Sequence, residues 1–224
     1  RRTKIEDVGN GWFRISVDFD TDGISSLNVQ LRGDTDGTTN AFYVWGAQAE
    51  EQPFATSYIF TDGNVATRLK DQIQNAGSTD TINSEEGVLY FEGAALTNVD
   101  GVLERTISLS DGTADNRLFI KYDDTSNKVE FIYRKDAINT AIITVNDVQV
   151  LEINSFVLAW DDENIYTYVN EVPEGEAVIS DTPFSANTLN TFNLNNGTGG
   201  SNLYAKIKEL RVYKSIAQAQ IDLP

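Results

Sequence analysis

Residues 40–69 read NAFYVWGAQAEEQPFATSYIFTDGNVATRL, and this stretch divides the chain into two parts. The alternation over 42–48, with large aromatic side chains on one face, predicts a β-strand with one buried face. Pro53 has no backbone donor and restricts the residue before it, so the strand should end there. A short strand over 55–60 and the turn-forming run TDGN follow. We therefore predict that a first β-domain closes at residue 62.

The composition restricts both the class of protein and its chemistry. The chain has 224 residues, of which 34 are acidic and 17 basic, and a formal net charge of −17. A field of this sign repels phosphate backbones and anionic lipid surfaces, so we expect no nucleic-acid partner and no membrane partner. The chain contains no cysteine and no histidine. Their absence removes thiolate nucleophiles, cysteine-ligated zinc and the commonest general base.

The first part of the chain contains few predicted strands. Apolar side chains alternate over 11–19 and 27–31, after a polar lead. Together with the two strands of the opening stretch this makes about four strands before residue 60, fewer than a two-sheet sandwich requires. We therefore predict that the first unit is incomplete at its N-terminus, with part of it upstream of Arg1. The visible part should leave a strand edge and one apolar face uncovered.

The second part repeats short strands and polar turns at the spacing of a β-sandwich. The strands are predicted over 87–96, 105–109, 118–122, 129–133, 141–145, 156–160, 165–169, 191–194 and 205–213. The last strand changes phase, which predicts a bulge near Lys208. Ser215 followed by Gln218 is typical of a helix N-terminus, so one short helical turn should end the fold.

Specific runs of the first part resemble a known domain. They are GWFRISV at 11–17, FYVWGAQAEEQPFATSYI at 42–59 and VATRLKD at 65–71. In order and spacing they resemble the carbohydrate-binding-module-like domain of tail and other structural proteins of bacteriophages and prophages. Phe60 departs from this pattern, because the family usually has a proline there.

The second part resembles a different family. The runs GVLYFEGAAL at 87–96, RTISLSDGTADNRLFIKY at 105–122 and YAKIKELRVYKSIAQAQI at 204–221 are similar to the concanavalin A-like lectin/glucanase superfamily, in its laminin G-like branch. The two resemblances imply an all-β fold of two antiparallel jelly-roll β-sandwich units, the first incomplete at its N-terminus. We place the first unit at 1–62, a linker at 63–79 and the second unit at 80–224.

The resemblances also imply a function. We expect a non-catalytic structural or adhesive component of a bacteriophage virion, in a fibre, tail or decoration protein, that can recognise glycan as lectins do. The expected location is a virion or another extracellular surface. The expected partners are other virion or surface-assembly subunits, further copies of the chain in a homo-oligomer, and host-surface glycan. The alternative is a carbohydrate-binding appendage of a secreted bacterial enzyme or adhesin.

Aromatic side chains of the first part could stack against a sugar ring. The candidates are Trp12, Tyr43, Trp45, Tyr58 and Phe60. The alternative is a place in a sandwich core or an interdomain contact, where aromatic residues at strand spacing are more often found. Trp160, Tyr166 and Tyr168 allow the same two interpretations. The polar loop 195–202 could bind sugar hydroxyls, or it could only connect two strands.

An acidic run in the first part has the opening pattern of a calcium loop. Asp18, Asp20 and Asp22 alternate and precede Gly23, but the twelfth position is Val29 instead of the bidentate glutamate. The context of strand, turn and strand favours a solvated hairpin turn. The same interpretation applies to the acidic turns at 111–112, 123–124 and 161–162. We therefore predict no cofactor, with Ca²⁺ as the alternative.

Paired carboxylates are the main catalytic alternative, because glycosidases use two acids held in register. The nearest pattern in the chain is Glu171, Glu174 and Glu176. Pro173 and Gly175 predict a loop there, which would not hold the carboxylates in place. We therefore predict no catalytic residues and expect that the protein is not an enzyme.

The two parts should differ in their ability to fold. We expect a fragment spanning 80–224 to unfold cooperatively on heating, because its strands can cover both faces of a sandwich. A fragment spanning 1–60 should not, because its visible strands leave one apolar face in water. Circular dichroism during heating would test both fragments. Cooperative unfolding of the 1–60 fragment as a monomer would contradict the expectation.

Overall fold

The computed structural model describes residues 2–19, 28, 30, 43–50, 55, 57–66, 73, 75–96, 98 and 105–222. The chain divides into two compact units, Arg1–Lys70 and Asp71–Pro224. The described residues form twelve β-strands and one seven-residue helix, which confirms the all-β fold class. No helix in the described part of the chain has the length and apolar character needed to cross a membrane.

In its described part the first unit contains one β-hairpin. Strand β1 (Arg2–Gly9) pairs antiparallel with β2 (Trp12–Asp18), and Ile5 lies opposite Ile15. The turn between them has positive φ angles of 55° at Asn10 and 78° at Gly11. Asn-Gly is the pair that tolerates this conformation best, and it matches the twist of the two strands. This turn explains why β1 forms where alternation alone predicts only a polar lead.

One face of the hairpin is apolar and lies in solvent. Because Ile5 pairs with Ile15 and Asp7 with Phe13, these side chains share a face with Val17. The exposed fractions are 65% for Ile5, 59% for Phe13 and 63% for Ile15. This agrees with the expectation that the first unit leaves an apolar face uncovered.

The predictions of strands over 42–48 and 55–60 are wrong for the residues that the structure describes. Residues 43–50 and 57–60 form no strand. The φ angle of Gly46 is 70°, which interrupts an extended chain. The side chain of Gln48 joins the two segments instead of a backbone ladder: its Oε1 accepts from the backbone N–H of Ile59 at 2.7 Å, and its Nε2 donates to the carbonyl of Ser57 at 3.4 Å. The strand predicted over 27–31 lies outside the described residues, apart from residues 28 and 30.

The second unit is an antiparallel jelly-roll sandwich of two five-stranded sheets. In chain order its strands are β3 (Gly87–Ala95), β4 (Arg105–Ser110), β5 (Arg117–Tyr122), β6 (Val129–Lys135), β7 (Ile138–Val145), β8 (Asn154–Trp160), β9 (Asn164–Val169), β10 (Val172–Val178), β11 (Thr191–Asn193) and β12 (Ala205–Tyr213). One sheet has the order β10-β9-β8-β3-β12, and we call it the front sheet. The other has the order β11-β4-β5-β6-β7. The predicted strands of this unit are confirmed.

Aromatic side chains from both sheets meet in the core. Phe91 and Phe156 of the front sheet stack with ring centroids 5.8 Å apart. The ring centroids of Tyr122 and Phe131, on the opposite sheet, lie 5.8 Å and 6.4 Å from that of Phe156. Each buried aromatic side chain contributes on the order of 1.5–3 kcal/mol through apolar burial. Trp160 is also fully buried.

The core requires glycine at one position of β3. A Cβ atom on Gly87 would lie 2.5 Å from Cζ2 of Trp160 and 2.7 Å from the carbonyl oxygen of Tyr213. The second of these is backbone, which cannot move aside as a flexible side chain can. The absence of a side chain at Gly87 therefore lets the ring of Trp160 lie directly over the neighbouring strand β3.

Strand β10 was not predicted from the sequence. Pro173 and Gly175 indicate a loop there, and that prediction is wrong. At the edge of a sheet a missing backbone donor is tolerated, and a bulge accommodates an irregular residue. The register shifts between Pro173 and Gly175, so Glu174 is the additional residue of a bulge. Gly175 lies opposite Thr167 of β9, and an added Cβ there would lie 3.3 Å from Ile143 of β7.

Residues before β3 also belong to the second unit. Ala76 and Phe192 of β11 exchange backbone hydrogen bonds of 3.2 Å and 2.6 Å, and the N–H of Leu194 donates to the carbonyl of Ile73. These residues lie in the segment that the sequence analysis assigned to the linker. The exact ends of the two domains stay a prediction.

Two further predictions, a bulge in the last strand and a short C-terminal helix, are confirmed. The register of β12 shifts between Ile207 and Glu209, which confirms the bulge at Lys208. Helix α1 (Ile216–Asp222) begins after Ser215, whose Oγ accepts from the N–H of Gln218 at 3.2 Å. The hydroxyl therefore satisfies one of the unpaired donors of the first helical turn.

Four charged side chains of alternating sign form a ring on β5, β6 and the turn between them. Lys121 contacts Asp123 at 2.9 Å and Glu130 at 2.7 Å, and Lys128 contacts Asp123 at 3.3 Å and Glu130 at 2.8 Å. Burial alone would raise the pKa of Asp123. The hydrogen bond from Lys121, a backbone hydrogen bond at Thr125 and the charge of Lys121 outweigh burial and hold that pKa well below its usual range. The two lysines lower the pKa of Glu130 in the same way.

The charge ring makes the stability of the second unit depend on pH. A carboxylate with a lowered pKa stabilises the fold above its unfolded pKa, and the effect is lost as the pH falls through the folded pKa. The ordinary values are 3.8 for aspartate and 4.5 for glutamate. We therefore expect the melting temperature to fall as the pH drops below about 4.5. Thermal unfolding from pH 7 to pH 3 measures this.

The variant Asp123→Asn isolates the contribution of the ring. It should lower the free energy of unfolding at pH 7 by about 1–3 kcal/mol and reduce the loss of stability on acidification. Asp162→Asn, an exposed carboxylate in the next acidic turn, is the control and should keep the original pH profile. Identical pH profiles for Asp123→Asn and the unchanged protein would show that the ring does not control acid stability.

Candidate functional site

The outer face of the front sheet carries two rows of side chains that cross all five strands. In the first row Glu176 of β10 lies beside Tyr166 of β9, followed by Ala159, Val88 and Tyr213. Neighbouring side chains in such a row are close enough to touch. The row therefore runs from an exposed carboxylate at one edge of the sheet to a buried tyrosine at the other.

The second row lies one pleat away on the same face. Tyr168 of β9 has Pro173 of β10 on one side and Val157 of β8 on the other, and Tyr90 and Arg211 complete the row. The alternation of the strand fixes this placement, because the side chains between these residues on β9 point into the core. Thr167, for example, is fully buried.

In the part of the chain that the structure describes, helix α1 covers one end of this face. Ala219 of the helix packs in a small apolar cluster with Val88, Tyr90, Ala159 and Tyr213, which belong to the three strands β8, β3 and β12. Tyr166 packs against the border of this cluster and is half-buried. The β9–β10 end of the face therefore remains open, with one of its tyrosines held in place by the covered end.

A cleft of about 320 Å³ lies at this open end. Its lining residues are Tyr166, Thr167, Tyr168, Pro173, Glu174, Gly175 and Glu176. Its volume is at the lower end of the range of small-molecule sites. Glu174 and Glu176 are exposed, and the tyrosines are half-buried. The bulge of β10 contributes Glu174 to the cleft in addition to the residues of the regular register.

A hydrogen-bond network orients one tyrosine of the cleft. The hydroxyl of Tyr166 donates to Oδ2 of Asp161 at 3.1 Å and accepts from Nδ2 of Asn164 at 3.3 Å. Asp161 is itself fixed, because its Oδ1 accepts from the backbone N–H groups of Glu163 and Asn164. Burial, the hydrogen bond to Asp161 and the charges of Asp161 and Glu176 raise the pKa of Tyr166. Tyr166 is therefore a neutral phenol at physiological pH.

The cleft combines two kinds of contact. The rings of Tyr166 and Tyr168 supply apolar area, and hydrogen bonds orient that of Tyr166. The carboxylates of Glu174 and Glu176 supply strong hydrogen-bond acceptors. A sugar ring presents both apolar C–H faces and hydroxyl donors, so the arrangement is chemically suited to a saccharide.

The aromatic candidates of the first unit are exposed but are not assembled in one place. The exposed fractions are 47% for Trp12, 87% for Tyr43, 72% for Trp45 and 41% for Tyr58. Trp45 and Tyr58 contact one another, with ring centroids 4.6 Å apart and planes tilted by 41°. No ring contact recorded among the described residues joins Trp12 or Tyr43 to this pair. A role of these four residues in ligand binding stays a prediction.

Other sequence-predicted candidates have structural roles. Trp160 is fully buried in the core. In the loop 195–202, the side-chain oxygen of Asn195 accepts from the N–H groups of Gly197 and Gly199, and that of Asn196 accepts from Thr198 and Gly200. These two amide oxygens therefore stabilise the loop itself. A small polar cavity of about 220 Å³ lies beside the loop, with Asn193 in its lining.

The calcium candidates Asp20 and Asp22 lie outside the described residues, and Asp18 is described only as the last residue of β2. In the part of the chain that the structure describes, no three acidic side chains are grouped to hold a metal ion. The acidic residues Asp111 and Asp123 lie in hairpin turns, as predicted, but Asp123 is not solvated, because its side chain is only 6% exposed. Asp111 accepts from the N–H of Thr113 at 2.8 Å, and Asp123 accepts from that of Thr125 at 3.1 Å.

The position of Glu174 and Glu176 on a strand beside the cleft was not predicted from the sequence, because Pro173 and Gly175 indicate a loop. The signal that could have identified them is the alternation of Glu174, Glu176 and Val178 directly after the strong strand β9 and a two-residue connection. Asn170 and Glu171 in that connection both have positive φ, the hairpin geometry that brings β10 back beside β9.

No known protein-family profile matches the chain. No curated protein matches its sequence. Among solved structures, 199 chains have a similar fold. They include carbohydrate-binding, glucanase and galectin folds.

Three of these structures illustrate the likeness. The CBM40 of a Ruminococcus gnavus IT-sialidase, bound to α2,3-sialyllactose, is 15% identical, with a TM-score of 0.49 over 64% of this chain and 89% of that one. Sheep galectin-11 in complex with glycerol is 9% identical, with a TM-score of 0.44 over 65% and 99%. A β-glucanase of Bacillus licheniformis is 18% identical, with a TM-score of 0.44 over 64% and 69%. At such low identity the likeness concerns the fold alone.

Proposed function

We propose that the protein is a non-catalytic carbohydrate-binding protein whose second unit binds glycan in the β9–β10 cleft. The observation that carries the proposal is the cleft itself, which is lined by Tyr166 and Tyr168 of β9 and by Glu174 and Glu176 of β10. The cleft lies on the part of the front sheet that α1 leaves open. The ligand makes contact through ring stacking and through hydrogen bonds to hydroxyl groups.

An open cleft binds its ligand weakly. A pocket that encloses most of a ligand buries 70–90% of the ligand surface, and a cleft on a sheet face buries less. Useful affinity then arises from several copies acting together, because each further contact is made at high effective concentration. The proposal therefore includes display of several copies on one surface.

The proposed setting is a bacteriophage virion or another extracellular surface. Support comes from the resemblance of the runs at 11–17, 42–59 and 65–71 to a domain of phage structural proteins. The apolar face of the β1–β2 hairpin, with Ile5 and Ile15 exposed, supports assembly with other subunits or with copies of the chain. The alternative setting is an appendage of a secreted bacterial enzyme or adhesin. The full-length gene and its neighbours distinguish the two.

Removal of one tyrosine ring tests the cleft. We expect Tyr168→Ala to lower the affinity for glycan by about tenfold, which corresponds to about 1.4 kcal/mol, because it removes one stacking surface. A glycan array probed with a multimeric form of the protein identifies the ligand. Calorimetric titration of that ligand then compares the variants.

Two further variants complete this experiment. Tyr204→Ala removes an exposed tyrosine that is not part of the cleft, and it should leave the affinity unchanged. Trp45→Ala tests the platform predicted in the first unit. If Trp45→Ala abolishes binding and Tyr168→Ala does not, the binding site lies in the first unit and the cleft proposal fails.

The proposal also states that the cleft does not cleave its ligand. Glu174 and Glu176 are exposed on an edge strand, whereas the acid and nucleophile of a glycosidase work on opposite sides of a bond in a protected site. We expect incubation with β-glucans, alginate and host polysaccharide to release neither new reducing ends nor unsaturated products. Sustained turnover that Glu174→Gln or Glu176→Gln abolishes would identify the protein as an enzyme.

A further inference from the structure

We propose that the β9–β10 cleft prefers glycans with a free, protonated amine, such as unacetylated glucosamine units, over neutral and acidic glycans. The inference rests on the proposed function and names the ligand class of the same site. It follows from the charges that line the cleft and from the position of the basic groups on the same face.

The cleft is acidic on its β10 side, where Glu174 and Glu176 lie. Asp161 is not in the lining, but its carboxylate accepts from the hydroxyl of Tyr166. None of the described residues that line the cleft is basic. A cation that enters the cleft is therefore attracted from the solution and meets carboxylates at the end of its path.

The basic groups described on the same face cannot offset these charges. Arg211 is in the same row as Tyr168 but three strands away, about 14 Å at the usual strand spacing. Its guanidinium donates to Glu209 and to the hydroxyl of Tyr213. Lys208 pairs with Glu92 at 2.6 Å. The interaction between two exposed charges more than about 10 Å apart is largely screened at physiological salt. The charge of Arg211 therefore acts mainly on its own hydrogen-bond partners.

The ligand chemistry follows from this arrangement. An ammonium group donates three hydrogen bonds, and a bond from an ammonium to a carboxylate is shorter and stronger than a neutral one. The tyrosine rings add attraction for a cation over their faces. A sialic acid or uronic acid brings a carboxylate toward Glu174 and Glu176 and is repelled. A neutral sugar makes the ring contacts but gains nothing from the charges.

The test compares two glycans that differ only in the amine. β-1,4-Linked glucosamine tetrasaccharide and its N-acetylated counterpart share ring, linkage and length. Calorimetric titration of the full chain at pH 6 and low salt should give about three- to tenfold tighter binding of the amine form. The preference should shrink at 0.5 M NaCl, and α2,3-sialyllactose should bind more weakly than either tetrasaccharide.

Variants separate the cleft from the field of the whole protein. Glu174→Gln with Glu176→Gln changes the net charge from −17 to −15. This double variant should bind the two tetrasaccharides about equally, because it lacks the carboxylates that attract the amine. Glu85→Gln with Glu152→Gln makes the same change at two exposed positions elsewhere and should preserve the preference. Tyr168→Ala should weaken both tetrasaccharides alike. Unchanged melting curves confirm that each variant is folded.

Each outcome decides between the two proposals. If both tetrasaccharides bind equally well, the amine inference is overturned and carbohydrate binding stands. If the distant charge pair reduces the preference as much as the cleft pair does, the attraction belongs to the whole protein and the inference is again overturned. If neither tetrasaccharide nor any glycan of the array binds a multimeric form, the proposed function itself fails.

Discussion

The packing of aromatic side chains between the two sheets of the second unit is the interaction on which the other features depend. Phe156 is in contact with Phe91 of its own sheet and with Tyr122 and Phe131 of the opposite sheet. Because side chains alternate strictly along a strand, these inward positions determine which residues lie outside. A slip of β9 by one residue would turn Tyr166 and Tyr168 into the core. The core therefore places the tyrosines of the cleft.

The second unit was predictable because its strands have strong alternation and its turns contain Asp, Asn and Gly. Strand β10 was not predictable from local pattern, because Pro173 and Gly175 disfavour a strand and its stability comes from pairing with β9 and packing near Ile143 of β7. In the first unit the opposite error occurred. The run at 42–48 alternates well, but Gly46 turns the backbone and the side chain of Gln48 makes the connection that a ladder would have made. Local sequence pattern thus fails to predict a strand correctly where the presence or absence of a partner strand determines whether the strand forms.

The candidate site was predictable only in part. Tyr166 and Tyr168 could be named from the sequence as candidates, with a place in the core as the alternative. Their exposure at an open cleft depends on three features distant in sequence: the register with β10, the bulge at Glu174, and the short helix α1 that covers the other end of the same face. For Trp160 the alternative holds: its side chain is buried in the core, because Gly87 leaves room for the ring.

Strand β10 is also an exposed edge of the front sheet, and a regular edge can pair with a strand of another chain. The missing donor of Pro173, the bulge at Glu174 and the charge of Glu176 interrupt the row of hydrogen-bonding groups that such pairing needs. The residues that shape the cleft thus also guard the protein against aggregation. Binding and colloidal stability share one strand, so a change that smooths β10 to enlarge or neutralise the cleft would create an edge open to intermolecular β-sheet formation.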